Sequence, residues 1–311
     1  MSNPPKCLII GANGFIGSHL VDELVEQNYM VRALDRYSRP PQFGSSGNVK
    51  VFKGDVFDDD VVSKALENID YVFHAFSATT PFTSDSDPYS DIDRNILRNV
   101  QLLEKIVSAH VKKVVFISSG GVVYGHIAEE RAAKETDAPN PVSPYGISKL
   151  ATEYYLAYFN RKYGLNYIIY RLTNPYGPRQ ITHNNQGVIP LFINKIQSGE
   201  KIIIYGDGNS SRDYIYIRDA AQMITNTFSR ETQYAVYNIG SGHQTTLNSI
   251  IATIEKITGH KAKLEYKEAP KTFLRKTMIS TDRFHHEFML KSETPLEEGL
   301  RLVCASLDMN Y

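Results

Sequence analysis

Tyr145 and Lys149 stand four residues apart in the run Pro144-Tyr145-Gly146-Ile147-Ser148-Lys149. On a helix, residues i and i+4 share one face. A phenol with a pKa of about 10 is a poor base at neutral pH. An ammonium beside it stabilises the phenolate and draws that value down. Tyr145 could then take a proton from a substrate alcohol, provided that a second group accepts hydride from the same carbon. With 20 tyrosines in the chain, a Tyr-x-x-x-Lys match alone is as readily a pair on a helix surface. The run Ile117-Ser118-Ser119-Gly120-Gly121-Val122-Val123-Tyr124-Gly125 tips the balance, because it ends an apolar β-rich stretch in a hydroxyl-bearing turn.

The hydride acceptor has its own signature. Gly11-Ala12-Asn13-Gly14-Phe15-Ile16-Gly17 follows the apolar segment Cys7-Leu8-Ile9-Ile10 and precedes a helical pattern. In such a turn the first glycine permits the tight bend, the second lets backbone approach a pyrophosphate, and the third lets helix pack on strand. The helix N-terminus offers free N–H groups to the anion. The whole run, Asn13, Phe15 and Ile16 included, is the expected dinucleotide cradle. Asp35 ends the second strand, near the usual position of an acid that bonds the adenosine ribose. That acid favours NAD, whereas Arg36 and Arg39 leave NADP open, since an arginine there can accommodate a 2′-phosphate. Asp55-Val56 and His74-Ala75 end the third and fourth strands, the side on which open α/β sheets bind ligands. Asp55 is placed to meet adenine and the His74 backbone to line pyrophosphate and ribose; a satisfied structural histidine is the plainer reading of the His74 ring. Lys149 would also hold the nicotinamide ribose.

These residues need a frame. Strands are expected at Lys6–Ile10, Met30–Leu34, Val49–Phe52, Tyr71–His74, Lys113–Ile117 and Tyr167–Leu172, with helices at Ile16–Gln27, Asp58–Glu67, Ile92–Ala109 and Tyr145–Tyr163. Alternating β and α elements with buried strands argue for an α/β fold with a doubly wound parallel sheet. Beyond Gly177 the rhythm breaks into shorter pieces: Lys201–Tyr205, Tyr214–Ile217, Ala220–Ser229, Leu247–Thr258 and Pro295–Leu307. Residues 1–176 are therefore expected to bind the dinucleotide. Residues 177–311 form a smaller lobe over the ligand, with one segment allowed to cross back.

Composition excludes other classes. The 311 residues carry 34 basic and 34 acidic side chains and are 42% hydrophobic, so no basic excess suggests a nucleic-acid partner. No stretch has the length needed to span a bilayer. Cys7 and Cys304 read as two buried thiols, which with the absent leader pattern places the protein in the cytoplasm. The acidic stretch Ser84-Asp85-Ser86-Asp87 with Asp91 and Asp93 lacks calcium-loop spacing and reads as a solvated loop leading into a helix. No histidine spacing suggests a metal site, and none is expected.

Together the Gly11–Gly17 turn, Ser118–Gly125, Tyr145–Lys149 and Arg171-Leu172-Thr173-Asn174-Pro175-Tyr176-Gly177-Pro178-Arg179-Gln180 resemble the extended short-chain dehydrogenase/reductase family, in its nucleotide-sugar epimerase/dehydratase branch. The resemblance implies a Rossmann-type fold with a C-terminal substrate-binding lobe, and a nucleotide-diphosphate sugar as substrate. Tyr145 becomes the acid/base and Lys149 its helper. Asn95 resembles the asparagine that supports the active-site helix, and Asn174 the one that contacts the sugar diphosphate. Arg212, in Tyr205–Tyr214, resembles the arginine that pairs with the diphosphate, and Lys271 could meet phosphate as a point charge. Ser118 falls on the cofactor side of the turn. Relatives carry Ser or Thr at the Gly120 position and often a hydroxyl at the Val122 position, so Ser119 is the nearest hydroxyl to the substrate oxygen. They also tend to have arginine at the Lys271 position and an acid at the Arg275 position. A UDP-hexose 4-epimerase acting through a 4-keto sugar is the first expectation. An NAD(P)H-dependent reductase of a dTDP- or other 4-keto-6-deoxyhexose is the alternative. A 4,6-dehydratase would want an Asp-Glu pair where Gly120, Gly121 and Val122 stand. Relatives commonly dimerise through helices equivalent to Ile92–Ala109 and Tyr145–Tyr163, and supply sugars for surface polysaccharide.

Overall fold

The computed structural model describes residues 4–126, 131–181, 187–269 and 275–308. The first half runs β1 (Lys6–Ile10), α1 (Phe15–Glu26), β2 (Met30–Asp35), β3 (Val49–Lys53), α2 (Asp59–Ala65), β4 (Tyr71–His74), α3 (Pro81–Ser86), α4 (Pro88–Ile92), a π-helical segment (Asp93–Leu97), α5 (Arg98–Ser108), β5 (Lys113–Ser119), α6 (Pro144–Tyr163) and β6 (Tyr167–Leu172). The second half runs β7 (Asn174–Tyr176), α7 (Val188–Ser198), β8 (Lys201–Tyr205), β9 (Ser211–Tyr216), α8 (Ile217–Thr225), β10 (Val236–Ile239), β11 (Gln244–Thr246), α9 (Leu247–Thr258), β12 (Lys263–Lys267), β13 (Lys276–Thr277), α10 (Asp282–Phe288) and α11 (Leu296–Asp308).

Seven strands form one sheet in the order β10-β6-β5-β4-β1-β2-β3, and every neighbouring pair is parallel. A parallel sheet covered on both faces needs unbroken apolar strands, and Cys7, Leu8, Ile9 and Ile10 are all fully buried. One face packs against Leu20, Val21 and Leu24 of α1. The other packs against Leu102, Leu103 and Ile106 of α5 and Leu156 and Phe159 of α6. Strand order reverses between β1 and β4, the crevice where such sheets take ligands.

The predicted strands are all present, but more than the one segment allowed to cross back returns from beyond residue 177. β10, from deep in the second half, pairs with β6 and supplies the seventh strand. Buried Ala220, Ala221 and Ile224 of α8 and Phe284 and Phe288 of α10 join the same core as β1 and α1. The remaining lobe has its own core of Phe192, Ile193, Ile196, Ile250, Ile254 and Leu300.

The predicted single helix Ile92–Ala109 is also divided: α4 passes into the π-helical segment before α5 begins at Arg98. Such a bulge inserts extra backbone and re-aims side chains. The stretch Ser84–Asp93, read as a solvated loop, is two short helices. Thr80 caps α3 and Asp87 caps α4, each followed by a proline in the first turn, and Asp91 is buried. Both cysteines are buried, and neither is in a disulfide among the described residues. Among the described residues no helix is long and apolar enough to cross a membrane.

Candidate active site

Beyond Ile10 the backbone turns at Gly11, whose φ of +84° suits glycine. A Cβ there would meet Phe76 Cα at 3.1 Å and Ala75 O at 3.2 Å. At Gly17 a Cβ would fall 2.0 Å from Gly11 O, so only glycine lets α1 lie this close to the turn. Gly14 caps α1 with no side-chain acceptor, which leaves the first N–H groups of the helix for an anion. A cavity of about 260 Å³ opens above them, lined by Gly11, Gly14, Asp35, Arg36, Asp55, Val56 and Ala75 among others. The cradle, the uncapped helix and the acid at the β2 end fit a dinucleotide.

Several predicted cofactor residues stand behind this wall. Asn13 ties the cradle to the following loop: its amide donates to the carbonyls of Arg39 and Pro40, and its Oδ1 accepts from Gln42 N. Its backbone N–H donates to Asp35 Oδ2 at 2.9 Å, aiming that carboxylate. Phe15 and Ile16 begin α1, and neither they nor Gly17 line the cavity. His74 does not line the cavity, unlike its neighbour Ala75; its ring, read as a structural histidine, lies in the core against Phe116, with Nε2 2.9 Å from Asn99 Oδ1. Burial lowers its pKa to about 4, with the Lys149 charge adding to the effect. Arg94, Phe57, Phe76, Ser77 and Ala78 line the cavity without having been expected. The stretch Phe76–Ala78 directly follows a strand end, and the rule that located Ala75 could have found it.

Tyr145 and Lys149 sit on α6. Ser143 caps that helix through the Gly146 N–H, and Pro144 occupies its first turn. The Tyr145 N–H donates to Ser84 Oγ at 3.2 Å, fixing the helix start against α3. A narrow second cavity is lined by Tyr145, Lys149, Ser148, Asn95, Asn99, Thr152, Phe76 and Ser77. Phe76 and Ser77 line both cavities, so the tyrosine–lysine pair opens directly beside the dinucleotide crevice.

The electrostatics differ from the expectation that Lys149 draws the Tyr145 phenol down. Lys149 Nζ donates to Ile117 O at 3.0 Å and lies 5.7 Å from the centre of the Tyr145 ring. Burial pushes the phenol up to about 12, helped by the negative charge of Asp91. Burial also lowers Lys149 to about 8, against the pull of Glu153 and Asp91. Loss of water around each charged form is the larger effect at both groups in the protein alone.

The polar groups around the pair form two networks. Asp91 accepts from Thr79 Oγ1 and Ser148 Oγ and from Asn95 Nδ2 at 2.9 Å. Asn95 in turn accepts from the Ala78 N–H at 2.9 Å, so it joins the β4 loop to the π-helical segment. In the second network, Glu153 pairs with Arg171 at 2.6 Å, and both are buried. Arg171 continues to Tyr124 OH at 2.8 Å, and Tyr124 OH to Asn238 Oδ1 at 2.7 Å. Ser118, expected to touch cofactor, instead donates to Glu153 Oε1 at 2.5 Å. Strand alternation decides this: neighbouring side chains leave opposite faces, and Ser118 faces α6.

Ser119 ends β5 half-buried, and its hydroxyl has no hydrogen-bond partner among the described residues. Gly120 has a steric reason: a Cβ there would lie 2.9 Å from Arg171 O and 3.1 Å from Ile279 Cδ1. Asn174 begins β7 and donates to Asp213 O at 2.9 Å; its amide also faces Gly121. Arg212 in β9 donates to Ser211 O at 2.8 Å. Lys271 lies outside the described residues.

Comparison with known proteins agrees with this geometry. Residues 7–240 match the NAD dependent epimerase/dehydratase family. The crystal structure of UDP-glucose 4-epimerase from Thermotoga maritima with UDP-glucose superposes with a TM-score of 0.91 at 34% identity, covering 98% of this chain and 99% of that one. UDP-glucose 4-epimerase from Thermus thermophilus, in complex with NAD, gives a TM-score of 0.90 at 29% identity over 97% of this chain and 99% of its own. A dTDP-4-dehydro-6-deoxyglucose reductase of Escherichia coli is 31% identical over 96% of both chains.

Proposed function

As this chain belongs to the NAD dependent epimerase/dehydratase family, we propose that it is a UDP-hexose 4-epimerase with Tyr145 as its acid/base. The observation that carries this reading is the shared wall of Phe76 and Ser77, which sets Tyr145 and Lys149 next to the glycine cradle. Gly11, Gly14, Asp35, Asp55 and Ala75 would hold NAD, with Arg36 at the ribose edge. Bound there, NAD supplies the hydride acceptor and donor and a positive charge beside the phenol. Tyr145 takes the proton of the sugar 4-hydroxyl as C4 gives up its hydride, and returns it after the 4-keto sugar has presented its other face. Lys149 stabilises the phenolate that takes up the sugar proton and orients the nicotinamide ribose. Ser119 is the hydroxyl that would bond the substrate oxygen, because its Oγ is free while Gly120 has no room for one. Asn174 and Arg212 would meet the diphosphate, and Lys271 could add a point charge to it. Arginine's planar fork suits that anion.

The purified protein is expected to interconvert UDP-glucose and UDP-galactose, or their N-acetyl forms, with no net change in NADH. A second reading has specific support in the Escherichia coli relative: reduction of a dTDP-4-keto-6-deoxyhexose. Oxidation of one NAD(P)H per 4-keto sugar, with no epimerisation, would select it.

The outer face of α6 supports a further part of this reading, a homodimer. Ile147, Tyr154 and Tyr158 are 51%, 61% and 43% exposed and recur at helical spacing on one side. A second copy laying the same face against this one would bury them. Sedimentation should give about twice the 35.1 kDa chain mass. Tyr154→Lys with Tyr158→Lys should give the monomer, since unpaired like charges would meet across the axis. A wild-type monomer at micromolar concentration would refute the interface.

A further inference from the structure

Asp91 is the buried group that the reaction above leaves without a task. Its side chain is sealed from solvent and accepts from three neutral donors, Thr79, Asn95 and Ser148. Among the described residues it has no ion-pair partner. Burying a carboxylate with only neutral donors is costly, so the fold retains a charge here at some expense. Its three donors come from three different pieces: the β4 loop, the π-helical segment and α6. Ser148 immediately precedes Lys149, and Asn95 and Ser148 line the same cavity as Tyr145 and Lys149.

We propose that Asp91 is a positioning residue for the acid/base pair: it clamps the π-helical segment and the β4 loop to α6 through Asn95, Thr79 and Ser148, and so places its buried carboxylate against the turn of α6 that carries Lys149. This rests on the reading of Tyr145 and Lys149 as the reacting pair. The other charges around Lys149 are accounted for. Glu153, one turn along α6, is already paired with Arg171 of β6. His74 of β4 is held neutral by burial. β5 brings only the Ile117 carbonyl and the Phe116 ring, 4.9 Å from Nζ. Asp85 of α3 and Asp93 and Arg94 of the π-helical segment are exposed. On α5, Arg98 and Glu104 are exposed and Lys105 pairs outward with Asp59. Asp91 is therefore the one anion at the pair not already neutralised by a cation among the described residues. The same charge opposes ionisation of Tyr145, so the phenol stays protonated until a positive group arrives beside it.

The test is Asp91→Asn in the full-length protein, read first without turnover. In protein carrying ¹³Cε-lysine, with Lys149→Met assigning the signal, the Lys149 titration should begin near its midpoint of about 8. In Asp91→Asn it should fall by roughly one pH unit, the size expected for losing a nearby opposite charge. The acidic limb of kcat, set by Tyr145, should move to lower pH in the same variant. Ser148→Ala removes a clamp bond but leaves the charge. It should lower kcat about tenfold with KM, NAD affinity and the lysine midpoint unchanged. An unmoved Lys149 midpoint in Asp91→Asn overturns the electrostatic role, and wild-type kcat in Ser148→Ala overturns the clamp. If Asp91→Asn does not fold, Ser148→Ala still decides the clamp. Should Tyr145→Phe retain turnover, the functional reading fails, yet the lysine titration still tests Asp91 independently.

Discussion

Tyr145→Phe is expected to lower kcat by roughly 10²- to 10⁴-fold, the contribution of a positioned acid/base, while leaving the fold and bound NAD unchanged. The substitution removes one oxygen. Among the described residues the Tyr145 hydroxyl makes no hydrogen bond; the residue's tie to α3 runs through its backbone N–H to Ser84. Thermal stability should therefore stay within about 1 kcal/mol of wild type. Cofactor content, measured by mass spectrometry of the purified protein, should not change, because Tyr145 does not line the 260 Å³ cavity. A loss confined to kcat, with NAD retained, places the phenol in the proton transfer. Full turnover in this variant would remove the phenol from the mechanism and with it the function proposed above.

Arg171→Met should cost about 3–5 kcal/mol of stability, since it strands Glu153 as an uncompensated buried charge. Global stabilities of about 5–15 kcal/mol make that loss readily visible in urea unfolding. The arginine fork reaches Glu153 through Nε and Nη2 and Tyr124 through Nη1. Its removal therefore also frees the Tyr124–Asn238 link between the turn after β5 and β10. Arg171→Met with Glu153→Gln should recover part of the loss, because the charge itself is then gone. A single variant as stable as wild type would show that water or a rearranged partner serves Glu153 in the arginine's place.

The local features were legible because each obeys a short-range rule. The glycine turn needs no distant residue to explain it: Gly11 takes a left-handed φ and Gly17 has no room for a Cβ. The central strands of the first half follow from short apolar runs such as Cys7–Ile10, the edge strand β3 from alternating Val and Lys, and the start of α6 from Ser143 and Pro144. Non-local pairing hid the rest. β10 is a four-residue strand that joins the sheet only because β6 offers an open edge. Asp91 sits in a polar stretch that looks solvated until α6 folds over it. Ser118 looked like a ligand residue because its strand ends at the site, but its face of the sheet sends it to Glu153.

Sequence by itself settled which chemical groups exist and how they are spaced along the backbone: a glycine cradle followed by a helix, a Tyr–Lys pair one turn apart, an acid at a strand end. Those are properties of dihedral angles and helical period, and a dozen residues contain them. Tertiary structure alone decided how those groups are charged. The Tyr145 phenol is held at about 12 and the Lys149 ammonium at about 8, because both values depend on how much water the fold excludes and which distant carboxylate it brings near. Burial and long-range charge belong to the packed chain and not to any segment of it, so no local pattern carries them.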